Sequence, residues 1–313
     1  MKINGTEISP GQEKKIEVNI AKLPSHSSID ISITVSRSKI EGPVLLLMGG
    51  LHGDEINGSE IIRRIIERGL NKPLIGTTIC IPILNIYGFI HFSRYVPDGK
   101  DVNRSFPGNK NGSLASRVAY YLMKDIIPKI DYGVDFHTGG ADRSNYPQVR
   151  CMLKDPRNEE LAKAFCAPFT LDSTYRPKSL RQSAAKLGKK ILVYEGGESA
   201  RFDEFAINEG IKGTLRLMQY LKMTETSNPP DQSNKVIKSS SWVRAKNSGV
   251  FLTNVNYGEK VSKNQIVGSL NDPFGDYKVD IKSPVSGYVI GLNHNPLVHQ
   301  GDAIMHLGKV NKQ

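Results

Sequence analysis

Residues 43–58 read Pro-Val-Leu-Leu-Leu-Met-Gly-Gly-Leu-His-Gly-Asp-Glu-Ile-Asn-Gly, and this stretch decides the class of fold. Its first half is a continuous apolar run, which is typical of a strand buried on both faces of a parallel sheet. The glycine pair that follows allows the backbone to turn sharply. Residues 58–70 then place isoleucines on one side and charged side chains on the other, the pattern of an amphipathic helix. The stretch therefore predicts a strand, a tight turn and a helix.

The same alternation continues on both sides of this stretch. The predicted strands are residues 15–23, 28–36, 43–48, 77–83, 131–136 and 191–194, and the predicted helices are residues 58–70, 114–127, a piece around 161–165, and 205–222. Strands that alternate with helices predict an α/β domain with a mostly parallel or mixed central sheet flanked by helices. Open sheets of this kind bind their ligands at the carboxyl ends of the strands, so functional side chains are expected there.

The chain changes character after residue 222, so residues 1–222 are predicted to form the catalytic domain. Residues 223–241 are polar, broken by prolines and without periodicity, which predicts a linker. Residues 242–313 hold short β-like runs punctuated by glycine, and one pattern occurs there twice. The duplication resembles the two halves of a biotinyl/lipoyl carrier barrel in shape only, because the lysine tripeptide of such carriers is missing. We expect a small all-β accessory domain.

The composition predicts a cytoplasmic protein that has no membrane partner. No apolar run approaches the roughly 18 residues that span a bilayer, and the N-terminus lacks the apolar core of a secretory signal. The three cysteines are widely spaced and contain no CxxC pair, so they are expected to be reduced thiols.

The net charge of +11 raises the question of an acidic partner. Because the basic residues are scattered, with no run of five or more, a solvated basic surface is favoured over a nucleic-acid-binding one. A positive field would also attract a small substrate that carries a carboxylate. The sequence does not fix the oligomeric state, and a homo-oligomer remains open.

Two motifs supply ligands that suit zinc. His52 and Glu55 form an HxxE pair in the turn after the apolar strand, and His137 stands at the end of another predicted strand, before a glycine turn. Imidazole nitrogens and a carboxylate oxygen are common zinc ligands, and three of them with a fourth position left open is the arrangement of catalytic zinc. We therefore expect one zinc ion per chain, held by His52, Glu55 and His137.

A third motif supplies a carboxylate that suits proton transfer. Glu195 directly follows the apolar run 191–194, so it is expected to be at least partly buried rather than exposed at a turn. A glutamate in a partly dry site next to a metal can act as a general base and return the proton to a leaving amine. Glu198, three residues further on, is the alternative base.

A fourth motif, Asp101-Val-Asn103-Arg104, completes an ordered set. HxxE, then Asp-x-Asn-Arg, then a lone histidine and a strand-end glutamate resemble the zinc carboxypeptidase superfamily. The closer resemblance is to its succinylglutamate desuccinylase/aspartoacylase branch, and it covers about residues 40–225. A carrier-like tail is also found in members of that branch.

The resemblance implies further roles. Arg94 lies nine residues before Asn103, as in aspartoacylases, and would polarise the scissile carbonyl and stabilise the oxyanion. Asn103 and Arg104 would bind a substrate carboxylate. Asp101 would accept the free ring N–H of His52. Glu195 would serve as general acid/base while metal-activated water attacks an amide carbonyl directly, without an acyl-enzyme.

Three functions remain open at this stage. The first is a deacylase of small N-acyl amino acids or related amines, with the β-rich tail restricting access. The second is a carboxypeptidase-like enzyme that trims an acidic residue from a peptide or a glutamylated molecule, which needs an open cleft. The third is a non-catalytic carrier, which would not need the complete set of site residues.

The residues that recognise the substrate are not fixed by the sequence either. The candidates between the last histidine and the glutamate are Arg143, Tyr146, Arg150, Tyr175, Arg176 and Arg181. His294 and His299 are hypothesised to approach the mouth of the site from the tail.

Overall fold

The structure, a computed structural model, describes residues 1–225, 229–231 and 233–309. Its α-helices are α1 (Ile56–Glu67), α2 (Ile86–Ile90), α3 (Leu114–Tyr121), α4 (Pro156–Phe165), α5 (Leu180–Lys186) and α6 (Glu204–Tyr220). In these ranges no helix is both long enough and apolar enough to cross a membrane.

Strands make up most of the remaining regular structure. They are β1 (Lys2–Ile3), β2 (Thr6–Glu7), β3 (Glu13–Lys22), β4 (Ser28–Arg37), β5 (Val44–Met48), β6 (Thr77–Ile81), β7 (Tyr132–Gly139), β8 (Arg143–Cys151), β9 (Phe169–Asp172), β10 (Lys190–Glu198), β11 (Lys235–Ile237), β12 (Ser239–Arg244), β13 (Gly249–Thr253), β14 (Lys260–Val261), β15 (Ile266–Asn271), β16 (Lys278–Lys282), β17 (Gly287–Asn293), β18 (Leu297–Val298) and β19 (Ala303–Lys309).

One large mixed sheet organises the described part of the chain. Its main path runs β12-β19-β17-β8-β10-β7-β5-β6-β4-β3. The four strands β6, β5, β7 and β10 are parallel to one another, and β4 and β8 join them antiparallel on either side. This mixed sheet flanked by helices confirms the predicted fold.

The apolar strand β5 shows why the sheet is covered on both faces. Leu45 and Leu47 pack into the hydrophobic core that contains α1 and α6, whereas Leu46 and Met48 pack into the core that contains α3. Successive side chains of a strand point to opposite faces, so a continuous apolar run serves both cores at once. On α1, the isoleucines at 61, 62 and 65 are buried against this strand and β7, as the amphipathic pattern predicts.

The structure differs from the predicted elements where buried residues are polar. His137 and Glu195 lie inside β7 and β10, not beyond their ends. Strand β8 was not predicted, because its sequence Arg-Ser-Asn-Tyr-Pro-Gln-Val-Arg-Cys lacks apolar alternation. It forms nevertheless, because β10 on one edge and β17 on the other satisfy its backbone groups.

The described residues after 241 form β-strands around a hydrophobic core of their own. Residues 310–313 of the predicted accessory domain, and 226–228 and 232 of the predicted linker, lie outside the described residues. Within the predicted linker, β11 pairs in parallel with β9. Strand β17 pairs antiparallel with β8, so the accessory strands continue the central sheet.

Candidate metal and active site

The three predicted metal ligands form one buried cluster. His52 and Glu55 lie between β5 and α1, and His137 lies in β7, the parallel neighbour of β5. The Nδ1 atoms of His52 and His137 are 3.2 Å apart, and each is 2.7 Å from a different oxygen of Glu55. The exposed fractions of these residues are only 3%, 5% and 2%. Side chains 85 positions apart in the sequence are thus brought to one point.

Gly53 allows the turn between His52 and Glu55 to pack closely against α2. A Cβ atom at this position would lie 1.8 Å from the carbonyl carbon of Gly88, so any larger residue would displace one of the two segments. The Gly53 N–H donates to the carbonyl oxygen of Ser93 at 3.0 Å. Glycine is therefore required here for close backbone approach, and the approach fixes the position of both ligands.

A carboxylate orients each imidazole of the cluster. The Nε2 atom of His52 is 3.3 Å from Oδ1 of Asp101, and the Nε2 atom of His137 is 3.0 Å from Oδ2 of Asp135. A carboxylate on one ring nitrogen directs the other nitrogen toward a metal and fixes the tautomer. Asp101 has the position predicted for it. Asp135 was not assigned a role, although an Asp-x-His pair on a strand points both side chains to the same face.

The electrostatics of the cluster favour a cation at its centre. Burial would raise the pKa of Glu55, but the two imidazoles hold that pKa well below its usual value. Burial lowers the pKa of His137, yet Asp135 and Glu55 together raise it well above its usual value. Two oriented imidazole nitrogens and one carboxylate, all buried and facing one another, form a donor set that fits zinc.

Arg94 lies beside the cluster and is held by Asp101. Its Nε and Nη2 atoms donate to Oδ2 of Asp101 at 3.1 and 2.9 Å. Its Nη1 atom is 3.2 Å from Nδ1 of His52 and 3.4 Å from Oε1 of Glu55. Burial would raise the pKa of Asp101, but His52 and Arg94 lower it, so the carboxylate is ionised between them. Arg94 therefore lies where a group must lie if it is to donate to a substrate carbonyl beside the candidate metal site.

Asn103 and Arg104 lie on a short 3₁₀ turn that follows Asp101. The Asp101 carboxylate accepts the backbone N–H of Asn103 at 2.7 Å. The side-chain Oδ1 of Asn103 accepts the backbone N–H of Leu180 at 3.0 Å, which ties the turn to the start of α5. Arg104 is exposed, and both side chains line the same cavity as the metal cluster.

Glu195 lies directly opposite His137 in the register of the parallel strands β10 and β7. Its Oε2 accepts from Nδ2 of Asn145 at 2.7 Å, and its Oε1 is 3.2 Å from Nη1 of Arg150. Glu195 lines the cavity. The carboxylate of Glu198, the alternative base, is instead 3.8 Å from Arg201, and the cavity lining among the described residues does not include it.

The cavity over the cluster measures about 410 Å³ and is rich in arginine. Of the six candidates for substrate recognition, the four arginines line it and the two tyrosines do not. Tyr146 packs among aromatic rings, and Tyr175 lies against the guanidinium of Arg181. Among the described residues, six arginines line the cavity: Arg94, Arg104, Arg143, Arg150, Arg176 and Arg181.

The accessory strands contribute one wall of the cavity through Trp242, a residue that was not among the sequence candidates. Trp242 of β12 lines the cavity, its ring stacked on His306 with centroids 4.4 Å apart and with the Arg143 guanidinium 5.7 Å from its ring. Neither His294 nor His299 belongs to the lining among the described residues, although Nε2 of His294 lies 2.8 Å from Oγ of Ser144, between the lining residues Arg143 and Asn145. Their approach to the mouth of the site stays a prediction. A lone tryptophan after a run of serines carries no sequence signal of such a role.

The fold and the site together define an α/β protein with a buried His–Glu–His centre, of the kind that holds a metal, next to a glutamate-containing cavity. A family model described as the succinylglutamate desuccinylase/aspartoacylase catalytic domain matches residues 41–221. The chain belongs to this family, as the ordered motifs predict.

Relatives along nearly the whole chain are consistent with this membership. The sequence is 28% identical over 303 residues to N-alpha-acetyl-L-2,4-diaminobutyric acid deacetylase from Halomonas elongata, covering 90% of this chain and 86% of that protein. A succinylglutamate desuccinylase/aspartoacylase structure from Rhodobacter sphaeroides has a TM-score of 0.87 at 24% identity and covers 100% of both chains. The product-bound ectoine utilization protein of Ruegeria pomeroyi has a TM-score of 0.83 at 22% identity and covers 95% of this chain and 94% of that one.

Proposed function

We propose that the protein is a zinc-dependent amidohydrolase that removes the acyl group from a small N-acyl amino acid or a related N-acyl amine. One observation carries the proposal: Glu195 lies opposite His137 in the strand register, next to the buried His52–Glu55–His137 cluster, in one cavity. A proton-transfer group and a ligand set are thereby adjacent. The similarity to a protein named as a deacetylase supports amide cleavage.

The residues divide the work of amide hydrolysis as follows. Zinc, when bound by the cluster, supplies a Lewis acid that polarises the carbonyl and makes water a stronger nucleophile near neutral pH. Glu195 accepts the proton of the attacking water and transfers it to the leaving amine. Arg94 donates to the oxyanion as negative charge develops on it. Asn103 and Arg104 orient the substrate by its carboxylate.

The charge of the cavity supports a substrate with more than one carboxylate. Within the described residues, Arg104, Arg143, Arg176 and Arg181 have no carboxylate within ion-pair distance, in contrast to Arg94 and Arg150. Arg181 is only 8% exposed and donates to neutral acceptors: the carbonyl oxygens of Arg150 and Thr174 and the hydroxyl of Ser173. Burying a cation without a counter-charge costs free energy, and an anionic substrate would offset that cost.

The size of the cavity supports the deacylase over the carboxypeptidase-like alternative. A volume of about 410 Å³ is in the range of small-molecule sites. Trp242 lines one side of it, where a peptide substrate would need an open cleft. Release of amino acids from short acidic peptides would favour the alternative instead.

The first test is metal content together with activity. We expect about one zinc per chain in the wild-type protein by plasma mass spectrometry, and amine release from at least one member of a panel of N-acetyl and N-succinyl amino acids. His52→Ala should lose both the zinc and the activity, because one ligand and its link to Asp101 are removed. His299→Ala, an exposed histidine outside the cavity, is the matched control and should keep both. Wild-type protein that takes up no zinc on reconstitution would refute the proposal.

A further inference from the structure

Both oxygens of the Glu195 carboxylate are held from one neighbouring strand. Asn145 donates to Oε2 at 2.7 Å and Arg150 contacts Oε1 at 3.2 Å, and both belong to β8. One oxygen of the carboxylate is thus hydrogen-bonded and the other is ion-paired, which restrains the orientation of the carboxylate plane. The direction from which Glu195 can take a proton is therefore set by β8.

The other edge of β8 is held by the accessory domain. Gly291 of β17 is the register partner of Asn145, and a Cβ atom on Gly291 would lie only 2.8 Å from Oδ1 of Asn145. One residue earlier, the Ile290 carbonyl oxygen accepts from Nε2 of Gln148 at 3.3 Å, in the buried layer between the strands. A side chain at residue 291 would therefore require the Asn145 amide to shift from the place that it occupies.

We infer that the accessory domain positions the general base through Asn145. Gly291 on β17 fixes where the Asn145 amide can lie, and the amide fixes the orientation of the Glu195 carboxylate. Asn145 is a positioning residue, and the accessory strand completes the catalytic apparatus rather than only limiting access to it. The inference rests on the proposed function of Glu195.

The expected effect follows from the strength of one hydrogen bond to a charged group. Loss of such a bond corresponds to about a tenfold to hundredfold change in a rate or an equilibrium constant. A base that samples other orientations transfers protons less often but leaves substrate binding intact. Removal of the Asn145 amide should therefore lower kcat and change KM by less than about threefold.

The experiment compares single and double variants on the panel member that wild-type protein hydrolyses fastest. Asn145→Ala is expected to lower kcat about tenfold to a hundredfold with zinc content unchanged. Gly291→Ala should reproduce this loss, because its methyl group displaces the amide. The variant with both substitutions should be no slower than Asn145→Ala alone, since the amide oxygen is the one atom that the methyl group would approach within 3.0 Å.

Gly308→Ala is the matched control for strain in the accessory sheet. Its methyl group would meet only apolar side chains, Ile237 at 2.7 and 2.9 Å and Ile290 at 3.2 Å, and should leave kcat unchanged. If Gly291→Ala alone does not fold, the combination with Asn145→Ala should restore folding, because the obstructing amide is gone. A double variant that stays unfolded would overturn the inference.

Three further outcomes test this inference and the proposed function, and two of them affect this inference alone. Independent kcat losses that add in the double variant, or wild-type kcat in Asn145→Ala while Glu195→Gln is inactive, would refute the positioning role and leave the hydrolase proposal standing. Absence of hydrolysis of any panel member by wild-type protein would refute both.

Discussion

Two glutamates in one cavity differ because their neighbours differ. Glu55 faces two imidazoles that hold its pKa well below the usual value, which favours the charged form that a metal ligand needs. Glu195 faces an amide and a guanidinium, which orient its oxygens without enclosing them in the metal cluster. The same type of side chain thus becomes a candidate ligand in one place and a candidate base in the other, and the environment makes the distinction.

A histidine outside the cluster gives the molecule a predicted sensitivity to acid. Burial, together with the positive charge of Arg150, lowers the pKa of His306 to about 3, and its Nδ1 has no hydrogen-bond partner in the described chain. A histidine in the unfolded chain takes up a proton near pH 6.5. Between about pH 6.5 and 3 the unfolded state therefore binds more protons, and stability falls as the pH falls, by about 1.4 kcal/mol per pH unit.

Substitution of His306 tests this linkage. His306→Phe keeps a ring against Trp242 but cannot titrate, so its free energy of unfolding should fall less between pH 6.5 and 5 than that of wild type, by about 2 kcal/mol. Urea unfolding at both pH values measures the difference. His299→Phe, at an exposed position, should retain the wild-type dependence, and equal slopes for His306→Phe and wild type would contradict the assignment.

At the scale of elements, the start of α6 connects the two parts of the molecule. Asp203 caps the helix by accepting the backbone N–H of Ala206 at 3.0 Å, and it also accepts a hydrogen bond at 2.9 Å from the hydroxyl of Tyr257, which lies between β13 and β14. Burial and the Asp203 carboxylate raise the pKa of Tyr257 to about 12, so the phenol keeps its proton and remains a donor. One carboxylate thereby stabilises a helix end and a contact between α6 and the loop that follows β13.

Removal of one of these bonds, or of both, should give graded losses of stability. Tyr257→Phe removes the hydroxyl bond and is expected to lower the free energy of unfolding by about 1–2 kcal/mol. Asp203→Ala removes the cap as well and should cost about 2–3 kcal/mol, whereas Asp203→Asn, which can still cap, should cost less. Urea unfolding at pH 7.5 measures these values. Tyr95→Phe, at an exposed ring, serves as control, and a Tyr257→Phe protein as stable as wild type would count against the contact.

At the scale of the whole molecule, charge and shape act on the same substrate. The chain carries a net charge of +11, and the cavity concentrates arginines beside the cluster. A cationic cavity attracts anions at a distance and pairs with them on contact. The side-chain amine of N-acetyl diaminobutyrate would meet those same arginines unfavourably.

Substrate charge should therefore order the specificity. We expect kcat/KM to fall from N-acetyl-L-glutamate to N-acetyl-L-alanine to Nα-acetyl-L-2,4-diaminobutyrate, by at least about tenfold across the series, and to decline with salt for the first. Arg176→Gln, at an exposed residue of the lining, should reduce the preference for N-acetyl-L-glutamate over the other two substrates. Arg201→Gln, outside the lining, should not, and a preference for the diaminobutyrate substrate would contradict the charge argument.

The sequence by itself determined the local and ordered features. The apolar run at 43–48, the amphipathic helix after it and the alternating strands fix the class of fold, because side-chain periodicity reports which faces are buried. The order of the HxxE pair, the Asp-x-Asn-Arg motif, the lone histidine and the strand-end glutamate determined the family. These features are local spacings, and local spacings can be read without coordinates.

Only the tertiary structure decided the partners of those residues. The pairing of Glu195 with Asn145 and Arg150 depends on β8, a polar strand that forms because its neighbours satisfy its backbone. Trp242 reaches the cavity from a strand more than a hundred residues beyond His137, because β17 joins the accessory strands to the central sheet. Such contacts arise from non-local hydrogen bonding between strand edges, and no pattern along the chain encodes which edges will meet.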